Sequence, residues 1–200
     1  MTGSEGLLGV VTEVTVRLLR APSTARALLL GFDSAENAGD CVAENISNGI
    51  IPGGMEMMDA PALNAAEDFV NAGYPRDADG LLIVELDGPE VEVDYLIERV
   101  AEIAKGKGAS YLRISNSEQE RQLFWSGRKA AFPAVGRISP DYFCIYGTIP
   151  RARLPDVLRP MQGLADQHGL RVANVFHAGD GNLHPIILFA GHQDGDPQKA

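Results

Sequence analysis

Cysteine is nearly absent from this chain: Cys41 and Cys144 are the whole complement. Two thiols set no disulfide framework, so burial rather than cross-linking has to hold the fold. Basic residues are also scarce, with 17 Lys and Arg against 27 Asp and Glu and a net charge of −10. That deficit excludes a nucleic-acid partner, which needs a basic face to meet the phosphate backbone. No apolar run approaches the roughly 20 residues of a membrane span. The opening MTGSEGLLGV lacks the basic-then-apolar layout of a secretory signal, so a cytoplasmic chain is expected. Gly-rich phosphate loops of the G-x-G-x-x-G or P-loop type are missing as well. What remains is ordinary globular composition, 45% hydrophobic and 22% charged over 200 residues, enough for one or two compact units.

Periodicity supplies the elements. Residues 7–19, LLGVVTEVTVRLL, alternate and are β-branched, which predicts a strand with Val10, Thr12, Val14, Val16 and Leu18 on one side. After ALLLGFD (27–33), Ser34 can cap a helix that runs through Val42 and Ile46 and stops at Gly49. IIPGGMEMMD (50–59) reads as extended, and 61–72 as a helix with Pro61 in its first turn and Gly73 as terminator. LLIVELD (81–87) is a near-continuous apolar strand, followed by a long helix with Val93, Leu96, Val100 and Ile103 on one stripe. YLRIS (111–115) is a short strand. Ser117 and Glu120 then form a capping box that opens a helix through QLFWSGRKAAF. YFCIYGTI (142–149) returns to strand, and 153–168 reads as a helix kinked at Pro160. A hairpin spans 170–189, and the acidic, Gly-containing end that follows reads as frayed. The order predicts an α+β fold, a ferredoxin-like antiparallel sheet with helices on one face, unfinished at both ends.

The hairpin carries the chemistry. HAGDGNLH (177–184) places two of only four histidines symmetrically about Asp-Gly. Asp-Gly between β-type runs signals a two-residue type I′ turn. With Asp180 and Gly181 as the turn, His177 would face His184, with Cβ atoms about 4.5–5.5 Å apart. Two imidazoles so placed can reach one metal ion, with Zn–N bonds of about 2.0–2.1 Å. The plain alternative is a hairpin whose histidines face solvent. Two ligands do not complete a site, and a carboxylate from elsewhere is the expected third. Asp180 has a competing role, because Asp readily takes the φ > 0 geometry of the turn. Asn182 is open between turn chemistry and a contact to a histidine or a substrate.

Three motifs together resemble one family, the flavin-linked 2-hydroxy-acid oxidoreductases of the glycolate oxidase type. TGSEGLLGVVTEVTVRLL (2–19) is similar to the closing segment of that family's FAD-binding domain. HAGDGNLH resembles the metal motif of its C-terminal cap domain, and FWSGRKAAFPAVGRISPDYFCIYGTIP (124–150) is similar to its flavin subunits. The resemblance implies residues 1–20 as the end of an FAD-binding domain and 21–200 as a substrate or cap domain, incomplete at its C-terminus. It implies FAD as cofactor, with Gly3, Ser4, Gly6, Val10 and Val11 beside the flavin, and His177 and His184 on a divalent metal (Zn, Fe or Mn).

The implied reaction oxidises a small 2-hydroxy acid by hydride transfer to flavin, a metal binding hydroxyl and carboxylate oxygens together. Arg128 stands one helical turn after Trp125 and one before Phe132. From the residues alone it reads as an arginine snorkelling past an aromatic. The resemblance makes it the carboxylate clamp, to which a fork-shaped guanidinium is suited. Lys129 reads as solvated. Phe132 and Cys144 stand where relatives acting on a diacid carry polar residues. An apolar wall there would strand a second carboxylate, which favours glycolate or D-lactate. Arg137 is a second cation whose facing is open. The resemblance also implies partner subunits of an oxidase complex, through which a cytoplasmic chain could associate with a membrane. The alternative is an isolated cap-domain fragment, a metal-binding or interaction module without catalysis.

Overall fold

The computed structural model describes residues 1, 3–192 and 200. Its first unit is β1 (Thr24–Phe32), α1 (Ala35–Ser47), β2 (Gly54–Asp59), α2 (Ala60–Val70), β3 (Gly80–Gly88), α3 (Glu90–Gly106) and β4 (Ala109–Ile114). Then follow α4 (Glu118–Val135), β5 (Asp141–Cys144), β6 (Gly147–Thr148), a short 3₁₀ turn, α5 (Leu154–His168), β7 (Arg171–Phe176), β8 (Asn182–Leu183) and β9 (Pro185–Phe189). Seven strands form one sheet in the order β4-β1-β3-β2-β7-β9-β5, all neighbours antiparallel, and β6 pairs with β8 beside it. The expected α+β fold with an antiparallel sheet is what forms. The order β4-β1-β3-β2 is that of a ferredoxin-like unit, with α2 inserted between β2 and β3.

The layers differ from the expectation: helices cover both faces of the sheet, not one. Leu28, Leu30 and Phe32 of β1 pack with α1, α3 and α5 in one core, while Ala27 and Leu29 pack with α2 and α4 in another. The reason is legible in β3, whose Leu82 and Val84 join the first core and whose Leu81 and Ile83 join the second. A strand apolar at every position has two faces to bury.

Local chemistry sets the helix ends. Ser34 caps α1 by accepting from Asn37 N at 3.1 Å, as its sequence position predicts. Ser117 caps α4 through Glu120 N, but Glu120 returns to the Asn116 N–H rather than to that of Ser117, so the capping box closes one residue early. Helix α5 runs through Pro160 without interruption, and α4 contains Pro133 near its end. YFCIYGTI is two strands rather than one, broken at Ile145 and Tyr146.

The predicted strand over 7–19 does not form. Residues 9–22 belong to no element, and Val10 is 85% exposed and Val11 60%. Alternation says which side of a strand would be buried, but a strand needs a partner ladder for its backbone groups. None of the described strands pairs with this segment. The frayed end expected after the hairpin falls on 193–199, outside the described residues.

Candidate functional site

The hairpin turn has a different register from the one expected. His177 pairs with Asn182, exchanging N–H···O bonds of 3.0 and 3.3 Å, and Asn174 pairs with Pro185. The loop is therefore Ala178–Gly181, four residues instead of two. Gly181, not Asp180, takes the left-handed backbone, at φ 73°. Any Cβ at Gly181 would run into the Ile149 carbonyl, so the position requires glycine twice over. Asp180 is exposed, and its N–H bonds the His177 carbonyl at 3.0 Å. The shift by two leaves His184 diagonal to His177 on the same side of the ladder, and the two imidazoles still meet, centroids 5.1 Å apart and edge to face.

A residue the sequence reading missed completes the cluster. Met57 of β2 pairs with Phe176 of β7, so one step further along that register Glu56 stands beside His177. Glu56 Oε1 lies 2.8 Å from His177 Nδ1. Helix α4 covers this face with a buried stripe of Phe124, Gly127, Arg128, Ala131, Ala134 and Val135. From that stripe Arg128 donates its Nε–H to Glu56 Oε2 at 3.0 Å, and Nη2 forms an ion pair with the same oxygen at 2.9 Å. The side chains of Arg128 and Glu56 are only 10% and 13% exposed. Such a pair is tolerable because both Glu56 oxygens are satisfied; removing one member of a buried pair costs about 3–5 kcal/mol. The sequence signal was an acid flanked by methionines, Glu56 between Met55 and Met57, in GMEMMD.

His184 is 6% exposed, its ring between Tyr146, centroids 4.9 Å apart, and Phe132 at 6.5 Å. Its Nδ1 is buried without a hydrogen-bond partner among the described residues. Burial first, then the charges of His177 and Arg128, hold His184 below the usual imidazole range, so it is neutral near pH 7. An orphaned imidazole nitrogen beside a second imidazole fits two positions of a metal ion's shell. No group of three metal-ligating side chains occurs among the described residues, so the third position is not supplied here.

The remaining expected residues fall in different places. Asn182 lies opposite His177, and Lys129 is exposed. Arg137 stacks on Phe69 at 4.5 Å rather than joining the cluster. Trp125 donates to Glu85 and lies over Gly54. Cys144, half-buried, pairs with Ile186. Gly3, Gly6, Val10 and Val11 are exposed and Ser4 is half-buried; a Cβ at Gly3 or Gly6 would meet nothing within 4 Å. These residues form no cradle that a flavin would fill.

Comparison with known proteins places the chain. The family FAD linked oxidases, C-terminal domain, matches residues 21–200. The glycolate oxidase subunit GlcD of Escherichia coli K12 is 58% identical over 199 residues, covering 100% of this chain and 40% of its own length. A D-lactate dehydrogenase of Anaerostipes hadrus is 25% identical over 206 residues, covering 100% of this chain and 43% of its own. Among solved structures, alkyldihydroxyacetonephosphate synthase superposes with a TM-score of 0.63 at 17% identity, over 92% of this chain and 40% of that one, a likeness of fold. The chain thus spans about two fifths of the length of these relatives. The chain belongs to the family of FAD linked oxidases, C-terminal domain.

Proposed function

We propose that this chain is the substrate side of an FAD-dependent oxidoreductase acting on a small 2-hydroxy acid, glycolate or D-lactate. The observation that carries the reading is the meeting of a buried guanidinium, two imidazoles and an apolar aromatic wall at one spot. On this reading Arg128 binds the substrate carboxylate with the edge that Glu56 leaves open. With no cation bound, one of the two imidazoles takes the proton of the α-hydroxyl as the α-carbon gives up hydride, leaving a 2-oxo acid. Phe132 and Tyr146 wall the site with apolar surface, which suits a small monocarboxylate and penalises a second carboxylate. Asn182 stands where it can orient His177 or touch the substrate.

A flavin held by the whole oxidase would supply the hydride acceptor; on this reading residues 1–20 belong to the domain that would bind it and 21–200 to the cap. When a divalent cation is bound, His177 and His184 would instead hold it by one nitrogen each, and it would supply Lewis-acid acidification of the substrate hydroxyl so that water can take the proton. With its third ligand outside the described residues, the chain alone binds the ion weakly. No helix among the described residues is long and apolar enough to cross a membrane. We place the protein in the cytoplasm, meeting other subunits of an oxidase complex and, through them, any membrane.

A transplant tests this. The corresponding segment of the E. coli relative is replaced by this chain, and flavin bleaching is followed on adding glycolate or D-lactate. Bleaching is expected, and Arg128→Lys should lower kcat/KM by about 100-fold, the worth of a lost bidentate pair, with flavin content unchanged. A flavin-loaded chimera that no small 2-hydroxy acid bleaches would overturn the reading.

A further inference from the structure

Glu56 occupies a position where an apolar residue would serve stability at least as well. Its neighbours along β2 are Met55, Met57 and Met58, all buried, and the strand is interior to the sheet. Replacing a buried ion pair by well-packed apolar side chains is often neutral or stabilising, so holding the fold is a poor reason for this carboxylate. What it does do is divide its two oxygens between the two groups that face the ligand. Oε2 takes Nε and Nη2 of Arg128, and Oε1 takes Nδ1 of His177.

We propose that Glu56 is the positioning residue of this site: it sets which edge of Arg128 and which nitrogen of His177 are offered to a ligand. The inference rests on the functional reading above for the nature of that ligand, but its geometry does not. A carboxylate paired with a guanidinium only accepts hydrogen bonds, so Nδ1 of His177 must carry the hydrogen. In the neutral ring the bare nitrogen is then Nε2, the form needed to accept a proton or bind a cation. On Arg128 the same contact uses the Nε edge. Nη1 has no hydrogen-bond partner among the described residues, so Nη1 and the far side of Nη2 form the edge left for a carboxylate.

The two histidines are therefore fixed by different means. His177, with a side chain 41% exposed, is tied by its bond to Glu56. His184 is wedged between Phe132 and Tyr146 and makes no side-chain hydrogen bond among the described residues. Loss of Glu56 should change His177 and spare His184.

Nitrogen-detected NMR of the chelator-treated, ¹⁵N-labelled chain tests this at about pH 9, above the ordinary imidazole range. Wild type should show His177 as a single Nδ1–H tautomer. Glu56→Gln should invert it. The amide oxygen goes to the permanently charged Arg128, the amide NH₂ then faces Nδ1, and the hydrogen moves to Nε2. His184 resonances should keep their tautomer. A wild-type His177 in the Nε2–H form overturns the proposal without any variant, which covers the case of a variant that fails to fold. An unchanged tautomer in a folded Glu56→Gln overturns it equally. Neither readout involves turnover, so failure here is distinct from a transplanted oxidase that bleaches with no substrate.

Discussion

Gly127→Ala is a substitution whose sign separates two forces. In an ordinary helix interior, alanine in place of glycine stabilises by about 1 kcal/mol, because glycine loses more backbone entropy on folding. Gly127 lies inside α4 and is buried. A Cβ built there would come within 2.5 Å of Tyr74 Cζ and as close to the neighbouring ring atoms, well inside van der Waals contact. Tyr74 cannot easily retreat. It is 4% exposed, its hydroxyl donates to the Phe124 carbonyl of α4, and its own N–H is held by Glu67 at 3.1 Å. Forcing a methyl into that seat costs about 1–3 kcal/mol as overpacking. Losing the hydroxyl bond costs about 1 kcal/mol more. Set against the helix gain, the net is a destabilisation of about 1–3 kcal/mol, or a fall in Tm of roughly 3–10 °C for a domain of this size. Thermal and urea unfolding read it directly. In a Tyr74→Ala background the obstacle is gone, and Gly127→Ala should then stabilise. The same sign in both backgrounds would refute the reasoning. Since Gly127 precedes Arg128, this contact also sets how deeply α4 seats its guanidinium against Glu56.

Asp59 makes a pH prediction. Burial pushes its carboxyl up to about 6, against the lowering effect of hydrogen bonds from Asn174 Nδ2 and Ala62 N at 2.7 and 3.2 Å. The folded state then holds the proton more tightly than the unfolded chain. Its contribution is complete below the unfolded value of about 3.9 and is lost as pH rises through the folded one. Asp59→Asn, an equally good N-cap, should remove that slope, so wild type loses on the order of 2–3 kcal/mol relative to the variant between pH 4 and 6 in urea titrations. Parallel profiles would show that Asp59 is not buried as described. Ser34→Ala should cost about 1 kcal/mol, a fall of roughly 2–4 °C in Tm, through loss of the cap on α1; an unchanged Tm would mean the Asn37 N–H finds water instead.

Those elements whose determinants are local were readable from the chain. Ser34, the apolar stripe of α3, Pro61 and the punctuation at Gly49 act within a few residues, and α1, α2 and α3 follow from them, although α2 stops at Val70 with Asn71, not Gly73, as its left-handed cap. What depends on a partner was not. The 7–19 run has the pattern of a strand, yet pattern cannot supply the neighbouring ladder. Helices on both faces are implied by the continuous apolar runs of β1 and β3, a sign that alternation rules tend to pass over. The meeting of His177 with His184 was legible because both lie in one hairpin. Its register was not, because a Gly in the last loop position admits a four-residue turn as readily as a two-residue one. Glu56 lies 121 residues from His177 in sequence, and only the β2–β7 pairing brings them together.

That pairing gives the site its dependence on the whole fold. The seam between β2 and β7 has just two registered pairs, Met57 with Phe176 and Met58 with Val175. To one side of it lies the ferredoxin-like unit that contributes Glu56, and to the other the β7–β9 ladder that contributes both histidines. Helix α4 crosses the seam, its Phe124 and Ala131 in the same core as Leu63 of α2 and as Val175 and Ile186 of the ladder. Arg128 thus sits on an element that packs against both units. A slip of one residue at the seam would send Glu56 to the opposite face of the sheet from His177, because side chains alternate. The core contacts of α4 and the Glu56 bridge therefore select the same register, and the ligand-facing groups assemble only when it is the one adopted.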